Sequence, residues 1–433
     1  MNTLIKNTIN IYPHQKTAID FIQRKRYAMI GDEMGVGKTL SAIGGIQAED
    51  TVFIICPASL RTTWKKEIVN FTTIDEDHIE LVDKNTIFLP YGIYIMSYAG
   101  LSNMDSPPTD DVLPDYVILD ESHYVKNPLS KRSQRCLDLV IQGKPDRVAL
   151  LTGTPITKSP LDFYLPLQIL SKCPHGTNGL PLKFENHFQF GSQFTNMRWK
   201  RIGSRKVREF SGCRNLDGLR DILKDKYLRR RVSDVLKDLP PMIEKTTHIT
   251  DNSARAERYI QSAWLDKDKK EVEDHVMAKK CFAAQLKVPS TCKYIEDMKE
   301  NGVGKILIFS DHLDPIKDLA RVLGAKWKVD TFTGANSEEE RAASVEAFQS
   351  GDTEILICSI RAAGVGLTLT AASHVVFNDI SWSPDHLEQA KKRIHRIGQD
   401  NTCFSHIVLS GPMDESIYRV VCAKQKVIDK VLH

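Results

Sequence analysis

The sequence predicts an α/β protein built from two parallel-sheet lobes, and two observations lead to this prediction. Short, continuously apolar runs alternate with helical patterns, which is typical of strands buried on both faces of a parallel sheet. These runs form two groups, one within about the first 155 residues and one within about 303–410. The predicted strands are Tyr27–Gly31, Thr51–Cys56, Tyr116–Asp120, Val148–Thr152, Ile306–Ser310, Glu354–Cys358 and His374–Asn378.

Two segments between the strand groups differ from them in character. Residues 173–215 are polar and show no clear period, whereas residues 253–300 are charged and favour helix. Pro240–Pro241 separates them, because consecutive prolines break helices and stiffen a linker. We therefore predict an N-terminal lobe over 1–241, with an insertion at about 160–227. A C-terminal lobe is predicted over 242–433, with a helical insertion at about 253–300.

The amino-acid composition limits the classes of protein to which this chain can belong. Hydrophobic residues make up 41% and charged residues 26%, which excludes wholesale disorder. The net charge of +4 neither requires nor excludes nucleic acid, so local clustering must decide. The nine cysteines have no zinc-finger spacing. The N-terminus lacks the apolar core of a signal peptide, and no stretch approaches about 18 apolar residues, so we expect a soluble, intracellular protein without a membrane partner.

The strongest motif is Gly31–Thr39 (GDEMGVGKT), which follows a predicted strand and precedes a helical pattern. Backbone N–H groups of such a loop cradle phosphates, while Lys38 reaches the β- and γ-phosphates and Thr39 ligates Mg²⁺. The match is not strict, because Asp32 stands where the first glycine is usual; a plain glycine-rich turn is the alternative. The nucleotide contacts predicted in this loop are Asp32, Gly35, Val36, Gly37, Lys38 and Thr39.

Two further motifs follow predicted strands of the first group. Asp120 begins the DESH tetrad, where a carboxylate can hold Mg²⁺, and the adjacent Glu121 can orient or deprotonate a water. A helix N-cap with a first-turn acid is the alternative. In Leu150–Ile156 (LLTGTPI), the hydroxyls of Thr152 and Thr154 can sense the γ-phosphate and couple the site to the rest of the chain. An ordinary Thr/Gly/Pro turn is the alternative there.

The second strand group is followed by Gln389–Gln399 (QAKKRIHRIGQ). Arg393 and Arg396 are three residues apart, so on a helix they share one face and suit phosphate clamping. Such arginines stabilise charge on a transferring phosphoryl group, although a solvated basic face is the alternative. Upstream, the small-residue loop Ala362–Thr370 (AAGVGLTLT) allows close approach of a ligand to the backbone, and a plain turn is its alternative.

Basic residues cluster locally. The segment Arg198–Arg231 contains 13 Lys and Arg against 4 Asp and Glu, an excess of nine positive charges, with Trp199 and Phe210 among them. Such a cluster can bind a phosphate backbone, and a solvated loop is the alternative.

These motifs occur in one order, and in that order the sequence resembles the Swi/Snf-type ATPases, which are DNA translocases of helicase superfamily two. The similarity extends from about Pro13 to Gln399. The DESH tetrad, with Ser122 in place of the usual alanine, resembles the annealing-helicase and fork-remodelling branch. Besides the motifs above, the resemblance rests on PHQ at Pro13–Gln15, CPASLRTTW at Cys56–Trp64, LRRRVSDVLKDLPP at Leu228–Pro241, ILIFSD at Ile306–Asp311, FTGANSEEER at Phe332–Arg341 and DISWSP at Asp379–Pro384.

The resemblance implies two RecA-like lobes with ATP and Mg²⁺ in the cleft between them. Gln15 would read the adenine and Gly366 would contact the nucleotide. Asp120 would be the metal-side acid with Thr39, Glu121 the base, and Arg393 and Arg396 the arginine fingers. The nucleic-acid contacts implied are Ser59, Trp64, Ser97, Gly334, Gly364, Thr368 and Trp382.

We therefore expect an ATP hydrolase that moves along double-stranded or branched DNA without sequence specificity, in replication, repair or recombination. A strand-separating DNA or RNA helicase of the same superfamily is the alternative. A catalytically inactive scaffold is a third hypothesis, against which the intact Lys38 and Asp120 argue. The compact chain suggests a cytoplasmic or nucleoid-associated protein of a bacterial or phage-infected cell, with unknown protein partners.

Overall fold

The computed structural model describes residues 4–104, 108–157, 159–173, 184, 186–202, 205–249, 269–363 and 366–432. The chain forms two compact units. Met1–Lys237 and Lys426–His433 make up the first unit, and Asp238–Gln425 the second. The division falls four residues before the predicted boundary at 241, and the last eight residues, which the prediction placed in the second lobe, belong to the first unit.

A seven-stranded parallel sheet forms the centre of the first unit, in the order β3-β4-β2-β5-β6-β1-β9. An antiparallel hairpin of β7 and β8 stands apart from it. The strands are β1 (Tyr27–Ile30), β2 (Val52–Cys56), β3 (Ile79–Leu81), β4 (Ile93–Ser97), β5 (Tyr116–Leu119), β6 (Arg147–Leu151), β7 (Asn196–Ile202), β8 (Arg205–Ser211) and β9 (Tyr227–Leu228).

Helices of this unit follow the strands in the alternation that a parallel sheet requires. They are α1 (Pro13–Lys25), α2 (Lys38–Ile43), α3 (Arg61–Phe71), α4 (Tyr98–Asn103), α5 (Lys131–Gly143), α6 (Tyr164–Leu170), α7 (His187–Phe194), α8 (Leu216–Leu223) and α9 (Val232–Val235). The segment 173–215, in which the sequence showed no period, contains α7 and the β7–β8 hairpin.

The topology of the first sheet places three motif loops at one edge. Strands β1, β2, β5 and β6 are buried along their whole length, as their continuous apolar sequences predict. Since the strands are parallel, their carboxyl ends lie at the same edge of the sheet. The loops that follow β1, β5 and β6 begin at Gly31, Asp120 and Thr152. The sheet therefore brings the three predicted motifs of this unit together.

The second unit has a six-stranded parallel sheet in the order β10-β15-β14-β11-β13-β12. Its strands are β10 (Met242–His248), β11 (Ile306–Ser310), β12 (Val329–Phe332), β13 (Ile355–Ser359), β14 (His374–Phe377) and β15 (Cys403–Leu409). Its helices are α10 (Lys269–Glu300), α11 (Leu313–Leu323), α12 (Glu338–Gln349), α13 (Ile360–Ala363), α14 (Pro384–Lys391) and α15 (Gly411–Leu432). The residues of α15 from Lys426 onward are counted with the first unit.

The predicted α/β class with two parallel sheets is confirmed, and each of the seven predicted strands matches an observed one to within a residue at either end. Within the described part of the helix-prone segment, α10 occupies 269–300. Residues 253–268 of that prediction lie outside the described residues. Among the helices that the structure describes, none has the length and apolar character needed to cross a membrane.

Candidate nucleotide-binding site

The glycines of the phosphate loop are required by its geometry. Gly35 and Gly37 have φ angles of +89° and +81°, in the left-handed region that favours glycine. A Cβ atom on Gly37 would lie 2.3 Å from Nε2 of Gln15, so the Gln15 side chain would have to move to make room for it. Gln15 is buried, and its Oε1 accepts a hydrogen bond from the backbone N–H of Tyr12 over 2.9 Å. Gln15 therefore lies against the loop.

The side chain of Lys38 is hydrogen-bonded to the phosphate loop that precedes α2. Its Nζ donates hydrogen bonds to the backbone carbonyl oxygens of Asp32 and Glu33, over 2.8 and 3.0 Å. Burial lowers the pKa of Lys38, and the Arg229 guanidinium lowers it further, whereas carboxylates nearby, of which Glu121 contributes most, oppose that shift. The charged ammonium is thus held by the loop carbonyls and the surrounding acids.

Asp32, a predicted nucleotide contact, has a structural partner for its side chain. Its carboxylate is 1% exposed and forms a two-pronged ion pair with Arg230, whose Nε lies 3.0 Å from Oδ1. Strand β9 pairs with β1, with Leu228 opposite Ile30, and this pairing places Arg230 beside Asp32. The aspartate at the usual glycine position thus binds the loop to β9.

The neighbouring Arg229 was also missed as a site residue. Its Nη1 donates to the carbonyl oxygen of Gly31 over 2.7 Å, at the start of the phosphate loop. In the sequence both arginines belonged to the basic segment and to the LRRRV motif, and that motif was the signal that could have placed them at this loop. The basic count therefore overstates the charge available for DNA, because Arg229 and Arg230 are used inside the first unit.

The burial of the Trp64 side chain does not support its predicted contact with nucleic acid. Its side chain is 1% exposed, and its Nε1 donates to Oδ2 of Asp120 over 2.8 Å. Oδ1 of the same carboxylate accepts from the backbone N–H of Glu121 over 2.9 Å. Burial raises the pKa of Asp120 to about 7, and the charge of Glu121 raises it too, while the Trp64 hydrogen bond opposes both effects.

His123 links the DESH tetrad to the LTGT loop. Its Nδ1 lies 3.1 Å from Oε2 of Glu121, 3.3 Å from Oγ1 of Thr152 and 3.4 Å from Oγ1 of Thr154. Glu121 has a φ of +49°, a left-handed conformation that a non-glycine residue rarely adopts and that is often found at functional sites. His123 was missed as a site residue although the tetrad contains it.

The LTGT loop also touches the phosphate loop. A Cβ atom on Gly153 would lie 2.5 Å from Cγ of Met34 and 3.4 Å from Nζ of Lys38. Thr39, the second residue of α2, is half-buried. The structure thus brings Lys38, the DESH carboxylates and the LTGT loop to one edge of the first sheet.

The predicted arginines of the second unit meet at one acceptor. Helix α14 ends at Lys391, so Arg393 and Arg396 do not lie on a helix, contrary to the prediction. Their Nη1 atoms nevertheless both donate to the carbonyl oxygen of Leu367, over 3.2 and 2.9 Å. Gly366, with a φ of +74°, immediately precedes this carbonyl and is exposed. Turn residues rather than a helix therefore align the two guanidinium groups.

The other predicted nucleic-acid contacts fall into two groups. Ser59, Gly334 and Thr368 are exposed. Ser97 caps α4 by accepting from the backbone N–H of Gly100 over 2.9 Å, and Trp382 packs against the second unit's core. Gly364 lies outside the described residues. Exposure thus leaves the first three available to a ligand, whereas Ser97 and Trp382 have structural partners.

The chain matches the models of two known protein families. Residues 14–298, about two thirds of the chain, match the model of the SNF2-related domain. The chain belongs to the SNF2-related family. Residues 287–398 match the helicase conserved C-terminal domain. The predicted Swi/Snf resemblance is confirmed, and the SNF2-related match covers the phosphate loop, the DESH tetrad and the LTGT loop.

Relatives of this SNF2-related chain include the DNA annealing helicase and endonuclease ZRANB3 of Homo sapiens, 31% identical over 98% of this chain and 40% of the relative. The SWI/SNF-related matrix-associated actin-dependent regulator of chromatin subfamily A-like protein 1 of Xenopus laevis is 28% identical over 97% of this chain and 44% of the relative. The predicted likeness to the annealing-helicase branch is confirmed. The chain spans less than half the length of these relatives.

A solved structure of the Sulfolobus solfataricus SWI2/SNF2 ATPase core in complex with dsDNA is 22% identical, with a TM-score of 0.45 over 99% of this chain and 94% of that one. A likeness of this size supports no further conclusion about the SNF2-related chain.

Proposed function

We propose that this chain is an ATP-dependent translocase of double-stranded DNA, which couples ATP hydrolysis to movement along duplex or branched DNA in replication, repair or recombination. The observation that carries the proposal is the placement of Lys38 beside the buried DESH carboxylates at one edge of the first sheet. Membership of the SNF2-related family and relatives named as a DNA annealing helicase support DNA as the substrate.

The groups at this edge fit ATP with Mg²⁺. Lys38 would exchange the carbonyls of Asp32 and Glu33 for phosphate oxygens, a stronger, charge-assisted interaction. The Thr39 hydroxyl and the Asp120 carboxylate are oxygen ligands of the kind that Mg²⁺ prefers. When bound, Mg²⁺ neutralises charge on the phosphates. Gln15, at the neighbouring α1, is proposed to read the adenine.

Glu121 is the proposed general base. It lies beside Asp120, is half-buried, and contacts Nδ1 of His123. A base must be held within reach of the water that it deprotonates, and this contact fixes the carboxylate. Because Thr152 and Thr154 contact the same ring, movement of the LTGT loop would reorient Glu121. We propose this chain of contacts as the link between hydrolysis and DNA movement.

Arg393 and Arg396 are proposed to stabilise charge on the transferring phosphoryl group. Their shared acceptor, the carbonyl of Leu367, holds both guanidinium groups in one orientation before they meet phosphate. Gly366 beside it is proposed to approach the nucleotide. The exposed Ser59, Gly334 and Thr368 are proposed to contact the DNA backbone.

The proposal is tested by ATPase rates of the purified chain without DNA and with single-stranded, double-stranded and forked DNA. We expect stimulation by duplex or forked DNA and loss of the activity in Lys38→Ala. Lys317→Ala, at an exposed lysine of α11, is the matched control and should keep the wild-type rate. Equal rates with and without DNA would contradict the proposal. Unwinding of a fork without displacement of a triplex strand would favour the strand-separating helicase instead.

A further inference from the structure

The β7–β8 hairpin exposes an aromatic residue in a basic surrounding. Trp199 on β7 is 59% exposed and lies directly opposite Arg208 on β8. Residues opposite each other in an antiparallel pair present their side chains on the same face, where they interact. A tryptophan with more than half of its surface in water is unusual, because this residue type is highly buried on average.

Arg208 joins two aromatic rings. Its guanidinium carbon lies 5.3 Å from the ring centre of Trp199 and 5.2 Å from that of Phe188, on α7. Phe188 is itself 40% exposed. The planar guanidinium of arginine stacks on aromatic faces, and both contacts are within the range of a cation–π interaction. We call these three neighbouring planar groups the Trp199–Arg208–Phe188 ladder.

The hairpin is strongly cationic. Residues 196–211 contain six Lys and Arg and one acid. That acid, Glu209, forms an ion pair with Lys200, with 3.2 Å between Oε1 and Nζ. Arg198, Arg201 and Lys206 are exposed along the same hairpin. Arg208 and Phe188 also line an open hollow, together with polar residues that include Gln189 and Gln193. This surface fits an anionic ligand with planar, hydrogen-bonding groups.

We propose that this hairpin binds unpaired bases of branched DNA, with a base stacked on the Trp199–Arg208–Phe188 ladder and the flanking basic residues on the backbone. Bases within a duplex are stacked on each other and present only their edges, so away from a duplex end the exposed ladder can stack only on an unpaired base. The inference rests on the proposed function, which it deepens: it makes the junction between duplex and single strand the preferred substrate.

Binding without nucleotide tests the proposal, by fluorescence anisotropy of a labelled duplex with a single-stranded arm beside a blunt duplex. The wild-type chain should bind the duplex with the single-stranded arm, here called the armed duplex, more tightly than the blunt duplex. Trp199→Ala should weaken binding to the armed duplex by about 5- to 150-fold, the range for loss of one stacked base, and leave the blunt duplex within about twofold. Trp199→Phe, which keeps a ring, should retain most of the preference.

Tyr91→Ala is the matched control, because Tyr91 is also 59% exposed and lies in a turn of the same unit. It should bind both probes as the wild type does. Equal binding of both probes by the wild-type chain overturns the inference, as does an equal loss for both probes in Trp199→Ala. The proposed function is measured separately, by the ATPase rate with blunt duplex. If the ATPase rate with blunt duplex is normal but the chain does not prefer the duplex with the single-stranded arm, the inference is overturned and the proposed function is not.

Discussion

The indole Nε1 of Trp64 donates a hydrogen bond to Oδ2 of Asp120, across 2.8 Å in a fully buried contact. Trp64 belongs to α3, which follows β2, and Asp120 follows the neighbouring β5. The exposed Ser59 lies just before α3. One short segment therefore presents a residue proposed for the DNA backbone and another that holds the carboxylate proposed for Mg²⁺.

Trp64→Phe removes this hydrogen bond and keeps an aromatic ring. Because the hydrogen bond lowers the pKa of Asp120, its loss should raise that pKa further above about 7 and decrease the ionised fraction at neutral pH. We expect DNA-stimulated ATPase to fall near pH 7 and to recover towards about pH 9. The measurement is the pH profile of the ATPase rate. Stability should fall by about 1.5–3 kcal/mol, as for a lost hydrogen bond to a charged group.

DNA affinity separates this explanation from direct contact. Without nucleotide, Trp64→Phe should bind duplex DNA as the wild type does, since the ring is not exposed. Ser59→Ala provides the comparison, because it alters an exposed candidate in the same segment. A loss of DNA affinity in Trp64→Phe with an unchanged pH profile would restore Trp64 as a DNA contact.

Asp120→Asn should make the chain more stable at neutral and alkaline pH while abolishing ATPase. The folded-state pKa of Asp120 is raised to about 7, from a value near 3.9 in unfolded chains. The folded state therefore binds the proton more tightly, and the stability this group contributes below about pH 4 is lost as the pH rises through about 7. The gain from the substitution should be on the order of 1–4 kcal/mol above that pH, measured by urea denaturation.

The control for this pH dependence is Asp77→Asn, at an exposed aspartate of the same unit. It should change the free energy of unfolding little at any pH. If Asp120→Asn has the same effect on stability at about pH 4 as above about pH 7, the buried carboxyl does not titrate as stated.

Much of the fold could be predicted because buried parallel strands are continuously apolar. All seven strands predicted from this pattern were found, although β4 (Ile93–Ser97), which is also apolar and mostly buried, was not among them. Strands such as β7 and β8 were missed, since they are polar and solvent-facing and their order comes from pairing with each other. Strand β9 is only two residues long, Tyr227–Leu228, and a run this short has no pattern of its own.

The site was predictable where a motif is contiguous and not where contacts are distant in sequence. The residues from Lys38 to Glu121 that meet at the sheet edge came from loops after apolar strands. The pairing of Asp32 with Arg230 spans 198 positions, and the LRRRV motif that contains Arg230 does not by itself identify its partner. Burial of Trp64 likewise depends on how α3 lies on the sheet.

The Asp32–Arg230 ion pair should be required for the phosphate loop. Arg230→Gln leaves a carboxylate that is 1% exposed without its partner, and a broken buried pair typically costs about 3–5 kcal/mol. Nucleotide affinity should fall as well, because Asp32 carries one of the carbonyls bonded to Lys38. Urea denaturation and binding of a fluorescent ATP analogue measure the two effects.

A double variant checks the mechanism of that loss. Asp32→Asn combined with Arg230→Gln removes both charges and should recover part of the stability lost in Arg230→Gln alone. Lys328→Gln breaks the exposed pair with Asp352 and should have little effect. Additive losses in the double variant would show that the two side chains act independently.

Arg396 and Arg393 should differ in what their loss costs, although both bond to the carbonyl of Leu367. Arg393 is 6% exposed, and its Nε also donates to the carbonyl of Gln389 over 3.1 Å. Arg393→Gln should therefore lower the ATPase rate and also reduce the free energy of unfolding by about 1–3 kcal/mol. Arg396 is more exposed, so Arg396→Gln should reduce kcat by about 10³-fold or more and leave the unfolding midpoint unchanged. Arg321→Gln, at an arginine of α11 that is 76% exposed, should alter neither quantity. Wild-type kcat in Arg396→Gln would remove it from the proposed phosphoryl contacts and leave Leu367 as its structural partner.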